Sequence, residues 1–199
     1  MNPNAGIPRT SKHYALSDKQ ILKGLESRGI DAKFIEYDDI IKCECIEDVV
    51  SSQGFALIIY KNLGDKVGHW CCLFFRPNGD LEFFDSYGLM IDEILDDEPF
   101  GGRYRDALPS VNAGNMTVSL PYLSYLILQW MATNPGKSVH YNGYALQSLK
   151  RGIATCGRWS LARMWLYDKP ITAFGDLFSA DRDPDDLVTK VTNKFLGWS

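Results

Sequence analysis

A chain of 199 residues and 22.5 kDa, 45% of them hydrophobic, has the size and composition of one globular domain with a sizeable core. Its 21 basic and 25 acidic side chains give a formal charge of -4, which withholds the broad positive field that drives non-specific nucleic-acid binding. The longest apolar-rich run, Leu120 to Met131, is far short of a bilayer span and is interrupted by Ser124 and Gln129, so a soluble, non-secreted protein is expected.

Residues 1–16, with Pro3 and Pro8 among scattered polar side chains, are expected to form a flexible or loosely wrapped arm on a single domain spanning 1–199. Ser17-Asp18-Lys19-Gln20 has the capping-box pattern, in which a hydroxyl and an amide satisfy each other's orphan N–H groups. With Ile21, Leu22 and Leu25 on one face, it predicts a helix near 17–28 that Gly29 ends. Residues 30–41 read as loop or short strand. Phe55 to Tyr60 is a nearly continuous apolar run, too short for an average helix, and predicts a buried central strand.

Two aromatic-rich strands, 70–75 and 81–84, flank Asn78-Gly79, a pair that tolerates positive φ and predicts a hairpin. Ideal register about that turn sets residue 72 opposite residue 85. His69 then lies a few positions from Asp85, a gap that a bulge or strand-end twist must close. Residues 86–117 are rich in Gly, Asp, Asn and Pro and read as a long excursion with a short helix at 89–95. Pro121 opens a helix near 121–132 that Asn134-Pro135-Gly136 ends, and a strand is expected near 141–146. After Cys156, the positions Trp159, Leu161, Ala162, Met164, Trp165 and Leu166 cover more than one helical stripe. They predict a helix near 156–167 buried on most sides. The acidic stretch Asp181 to Asp186 lacks the glycine and terminal glutamate of a calcium-binding EF-hand loop. It reads as a solvated turn leading into a helix near 184–195.

The five cysteines are Cys43, Cys45, Cys71, Cys72 and Cys156. A four-thiolate zinc site is conceivable, but no pair has C-x-x-C spacing, and the first four read as buried or half-buried free thiols. The odd count suits a reducing compartment.

Cys156 opens the buried helix, where the dipole and a nearby imidazolium would stabilise a thiolate and free N–H groups could receive an oxyanion. Gly157 would permit a tight turn and close approach of a substrate backbone. His69 is the natural base, with His140 as its rival and His13 in the arm. Asp85, at the end of an apolar strand, could orient an imidazole or simply cap the next turn. Gln147 could aim an amide donor at the oxyanion or be an ordinary polar residue at a strand end.

As a set, His69-Trp70, Asp85-Ser86, Gln147 and Cys156-Gly157 resemble the adenovirus-protease and Ulp/SENP superfamily of cysteine proteases. Phe84 to Gly88, Tyr141-Asn142 and Thr155 to Trp159 look like its adenain-like branch in large DNA viruses and virophages. The deconjugating branch carries a tighter Gln-Pro-x-x-x-x-Asp-Cys-Gly segment, whereas here Ser148 follows Gln147 and Thr155 precedes Cys156. The resemblance implies an α+β, papain-like or adenain-like fold, with a central mixed, mostly antiparallel sheet and the nucleophile-bearing helix packed against it. It also implies Cys156 as nucleophile, His69 as general base, Asp85 as its orienting residue, Gln147 as oxyanion donor, and Trp70 packed beside the triad.

The substrates implied are viral capsid or core precursor polypeptides, cut after Gly-Gly or Gly-x-Gly sites in the virion, infected-cell cytoplasm or virus factory. No metal or organic cofactor is required. An activating peptide or protein is a further partner the resemblance allows, while the net charge speaks against a DNA requirement. A ubiquitin-like deconjugase and a catalytically silent homologue are the alternatives.

Overall fold

The computed structural model describes residues 15–61, 68–96, 110–113, 116–149, 153–179 and 181–198. Ser17 and Gln20 form the reciprocal capping box that starts helix α1 (Asp18–Glu26), and Gly29 follows its end at φ 72°. Strand β1 (Lys33–Glu36) leads into two helical turns, α2 (Tyr37–Ile40) and α3 (Ile46–Val49). Strands β2 (Phe55–Lys61), β3 (Gly68–Phe75) and β4 (Leu81–Asp85) build the middle of the sheet. A 3-10 turn (Glu93–Asp96) and a ribbon of β5 (Ser110–Ala113) and β6 (Met116–Ser119) precede helix α4 (Tyr122–Thr133). Edge strand β7 (Val139–Tyr141) and helices α5 (Cys156–Trp165), α6 (Ile171–Ser179) and α7 (Pro184–Leu196) complete the described elements.

The main sheet has the order β1-β2-β3-β4-β7. Its central ladders, β2 with β3 and β3 with β4, are antiparallel, while the flanking β1/β2 and β4/β7 pairs are parallel. This is an α+β fold with a mixed, mostly antiparallel sheet, as expected. The interior strands show no polar alternation because both faces are covered. Leu57, Ile59, Cys72, Phe74 and Phe84 pack beneath α5, joined by Leu25 of α1 and Val188 of α7. On the other face Ala56, Ile58, Tyr60, Leu73, Leu81 and Phe83 pack with Leu123, Leu126 and Trp130 of α4. Each fully buried Leu, Ile, Val or Phe among them contributes about 1.5–3 kcal/mol by leaving water.

Two fully buried charges lock α5 to the sheet. Arg163 donates to Glu82 of β4 through Nε at 2.6 Å and Nη2 at 2.9 Å, a two-point pairing that fixes angle as well as distance.

Several expectations require correction. Residues 1–14 of the expected arm lie outside the described residues, but Leu16 is only 3% exposed and belongs to the core. The strand expected at 141–146 is shorter and earlier, at Val139–Tyr141, because Asn142 turns its amide onto the backbone of Asp85 and ends the ladder. The 86–117 excursion contains β5 and the start of β6, and the helical part of 89–95 is confined to the 3-10 turn. Helix α6 was not anticipated; its Phe174 and Phe178 pack edge-on against Trp159. Cys45 is exposed rather than buried, while Cys71 and Cys72 are buried and all five thiols are free. Among the described residues no helix is long and apolar enough to cross a membrane.

Candidate active site

The hairpin register decides whether His69 and Asp85 can meet. The turn is not a symmetric two-residue loop on Asn78-Gly79. Arg76 pairs with Asp80 (Arg76 N–H to Asp80 O, 2.8 Å), and Gly79 alone has positive φ, at 79°. Its N–H closes the turn on Arg76 O at 2.8 Å. This three-residue loop, a turn followed by a left-handed glycine, moves the register by one and sets Cys71, not Cys72, opposite Asp85. One residue of slip exchanges the two faces of a strand. His69, two residues from Cys71, therefore shares a face with Asp85, and no bulge interrupts the β3/β4 ladder.

His69 Nε2 lies 2.7 Å from Asp85 Oδ2, with the two side chains 4% and 1% exposed. Cys71 donates its S–H to the same oxygen at 3.0 Å, and the Tyr87 N–H donates to Oδ1 at 2.6 Å. The Asn142 amide brackets the Asp85 backbone, accepting from its N–H and donating to its carbonyl. Burial raises the Asp85 pKa, but the charge and hydrogen bond of His69, with Cys71 and the Tyr87 N–H, outweigh it and hold the carboxyl below its usual range. For His69, burial alone would depress the imidazole. The Asp85 carboxylate and then Cys156 reverse that and raise it to about 10. Cys156 is thus near enough to the imidazole for its thiol to act on the His69 pKa. With Nε2 held by Asp85, Nδ1 is the nitrogen left to face the thiol.

Cys156 is the first residue of α5, all ten of whose residues are buried. The helix bonds begin with Arg158 and Trp159 N–H groups donating to Thr155 O, so the N–H groups of Cys156 and Gly157 precede them. Thr155 does not cap the helix with its own side chain; its hydroxyl bonds Asp185 of α7 instead. The Asp185 carboxylate also accepts from Trp159 Nε1 at 2.9 Å and from the Ser148 N–H at 2.9 Å. One buried acid thus ties the start of α5 to the segment carrying Gln147. This corrects the solvated reading of the 181–186 cluster. Asp183 does cap α7, but Asp185 turns inward.

Gly157 serves packing rather than substrate approach: a Cβ there would stand 2.9 Å from Ile21 Cδ1 and 3.1 Å from Trp70 Cδ1. Trp70 accordingly packs against the first turn of α5, on the sheet face opposite His69.

Gln147 is buried beside the same strand end. Ser86 O accepts from the N–H groups of Leu146 and Gln147, both at 2.9 Å. Ser86 Oγ donates to Gln147 Oε1 at 2.8 Å, which orients the amide. Gln147 Nε2 then donates to the Tyr87 hydroxyl at 3.2 Å and to Ile153 O at 3.4 Å. The Tyr87 ring stacks on His69, with centroids 4.7 Å apart and planes at 15°. Burial, followed by the charges of Cys156 and Asp85, pushes the Tyr87 hydroxyl up to about 12. Gly88, at φ 76°, admits this segment: a Cβ would lie 2.4 Å from the Tyr144 carbonyl carbon.

His140 is set apart from this cluster. It pairs with Asp80 at 2.8 Å on the outer strand β7, and that hydrogen bond draws the Asp80 carboxyl down to about 2. His13 lies outside the described residues. Asn142, Tyr87 and Asp185 are the side chains that residue-by-residue reading missed. Among the described residues one group could ligate a metal, His69, Cys71 and Asp85, whose donor atoms all lie within 4.8 Å of one another.

No protein-family profile matches the chain. Over 189 residues it is 34% identical to the uncharacterized protein V9 of Sputnik virophage, across 91% of this chain and 97% of that protein. The chain belongs to the V9 family. A member of this family therefore carries a buried Cys-His-Asp arrangement of the cysteine-protease type, with the cysteine opening a helix packed on the sheet. The arrangement is papain-like in general form.

Proposed function

We propose that the chain is a cysteine endopeptidase of the adenain-like branch, formed as one domain, that processes viral precursor polypeptides. Cys156 is the nucleophile, His69 the general acid and base, Asp85 its orienting carboxylate and Gln147 an oxyanion donor. The observation that carries the reading is the meeting of Cys156, at the start of a fully buried helix, with a His69 held at Nε2 by buried Asp85. A relative in a virophage supports a viral setting, in the virion or the virus factory. A preference for Gly-Gly or Gly-x-Gly sites goes with the branch.

In the proposed reaction the Cys156 thiolate adds to the scissile carbonyl carbon, and the π electrons move to its oxygen. That oxygen takes the place of the Tyr87 hydroxyl at Gln147 Nε2 and is also met by the Cys156 N–H. Collapse breaks the C–N bond as His69 Nδ1 delivers its proton to the departing amine. Water then gives a proton to His69, attacks the thioester and releases the acid and the thiolate. Asp85 keeps the ring oriented and offsets the imidazolium charge throughout.

The test is release from fluorogenic Gly-Gly and Gly-x-Gly peptides, beside ubiquitin and SUMO C-terminal reporters, with the wild type and Cys156→Ala. Cleavage of the peptides alone, lost in the variant, is expected. Turnover of the folded reporters would move the protein to the deconjugases, and undiminished turnover by Cys156→Ala would remove Cys156 as nucleophile.

A further inference from the structure

We propose that His69, Cys71 and Asp85 form a binding site for a soft divalent cation such as zinc, and that its occupation shuts the active site. The proposed hydrolysis gives Cys71 no part. Its side chain is nevertheless fully buried and points to the very Asp85 oxygen that holds His69, at 3.0 Å against 2.7 Å. His69 and Cys71 are alternate residues of β3 and so share a face, and Asp85 is the direct cross-strand partner of Cys71. Three donors of different chemistry, an imidazole nitrogen, a thiol sulfur and a carboxylate oxygen, thus converge within 4.8 Å.

That mixture suits zinc, which takes nitrogen, sulfur and oxygen at about 2.0–2.3 Å, and does not suit calcium or magnesium, which take oxygen. The donors are preorganised. Both strands are laddered, and the Asp85 backbone and Oδ1 are separately held by Asn142 and the Tyr87 N–H. Modest spreading of the three groups makes room for an ion in place of the protons they now share. A water would complete the tetrahedron.

Binding displaces the Cys71 thiol proton and the proton between His69 and Asp85 to solvent, with the metal supplied from solution. The ion then occupies Nε2 and the Asp85 oxygen, so the imidazole is held neutral and can no longer form the imidazolium that faces Cys156. This consequence rests on the proposed protease reading; the binding does not.

The test is cobalt titration of the full chain carrying Cys43→Ser, Cys45→Ser and Cys156→Ala, which leaves only Cys71 and Cys72 as thiols. Cys72 lies on the opposite sheet face, its S–H directed at Ser160 O, and cannot join His69. A thiolate-to-cobalt charge-transfer band saturating at one equivalent, displaced by zinc and erased by a chelator, is expected. Adding Cys71→Ser should weaken binding at least ~10-fold. Absence of the band, or a band that survives Cys71→Ser, would overturn the proposal. Should Cys71→Ser fail to fold, the band in the triple variant decides alone. In the wild type, peptide turnover should fall with zinc and return with chelator. A chain that binds cobalt through Cys71 yet cleaves no peptide would contradict the protease reading and leave the metal site standing.

Discussion

Asp185 is the point at which the geometry of the site depends on a residue outside it. Its carboxylate accepts from Trp159 Nε1, the Thr155 hydroxyl and the Ser148 N–H, and it is 2% exposed. Asp185→Ala leaves the Trp159 N–H and the Thr155 hydroxyl, both on fully buried residues, without that acceptor. At about 1–3 kcal/mol for each buried group left unsatisfied, the loss is roughly 2–6 kcal/mol. Against a typical total of about 5–15 kcal/mol, the variant is expected to remain folded but much weakened. Asp185→Asn keeps one oxygen acceptor and sets an NH2 group against either Ser148 or the Thr155/Trp159 pair. It should lose less stability, yet lower kcat, because Ser148 adjoins Gln147. Urea unfolding and peptide hydrolysis on both variants check this. An Asp185→Ala chain within about 1 kcal/mol of the wild type would refute the stability reasoning. Wild-type kcat in Asp185→Asn would refute the link to Gln147.

The His69–Asp85 pair should also shape stability against pH, measured by urea unfolding in the presence of a chelator. His69 is raised from 6.5 to about 10, so its contribution is full below 6.5 and is lost as pH climbs to 10. Asp85 is lowered from 3.8, so its contribution is present above that value and is lost on acidification. Asp85→Asn should flatten the alkaline slope, and an unchanged slope would exclude the pair as its source. Gln147→Ala is expected to lower kcat about 10²–10³-fold with KM little changed; an effect confined to KM would argue against an oxyanion role.

The hairpin was legible because Asn78-Gly79 lies between two apolar runs, but its register was not. Asn-Gly suits both a symmetric two-residue loop and a longer loop ending in a left-handed glycine, and the Arg76–Asp80 pairing decides between them. The buried character of α5 followed from its apolar residues on several faces, whereas the interlock of Arg163 with Glu82 joins positions that no local pattern connects. A usable signal for Asp185 did exist. Asp185, Val188, Thr189 and Thr192 fall at i, i+3, i+4 and i+7 and are the buried stripe of α7. Helix α6 could likewise have been read from Pro170 ahead of Ile171, Phe174 and Phe178. The four residues proposed for catalysis were ambiguous one by one, and His69 was set ahead of His140 chiefly by the His69-Trp70 pair within the resemblance. Three-dimensional proximity separates them, since His140 belongs to Asp80.

The most direct test of the central claim needs no knowledge of the substrate. Alkylation by iodoacetamide at pH 6, followed residue by residue with mass spectrometry, compares Cys156 with exposed Cys45 and with a simple thiol. A thiolate paired with the His69 imidazolium should react at least ~10-fold faster than either, despite its burial, and His69→Ala should abolish the advantage. If Cys156 reacts no faster than Cys45, or keeps its rate without His69, the proposed nucleophile and base do not form a working pair.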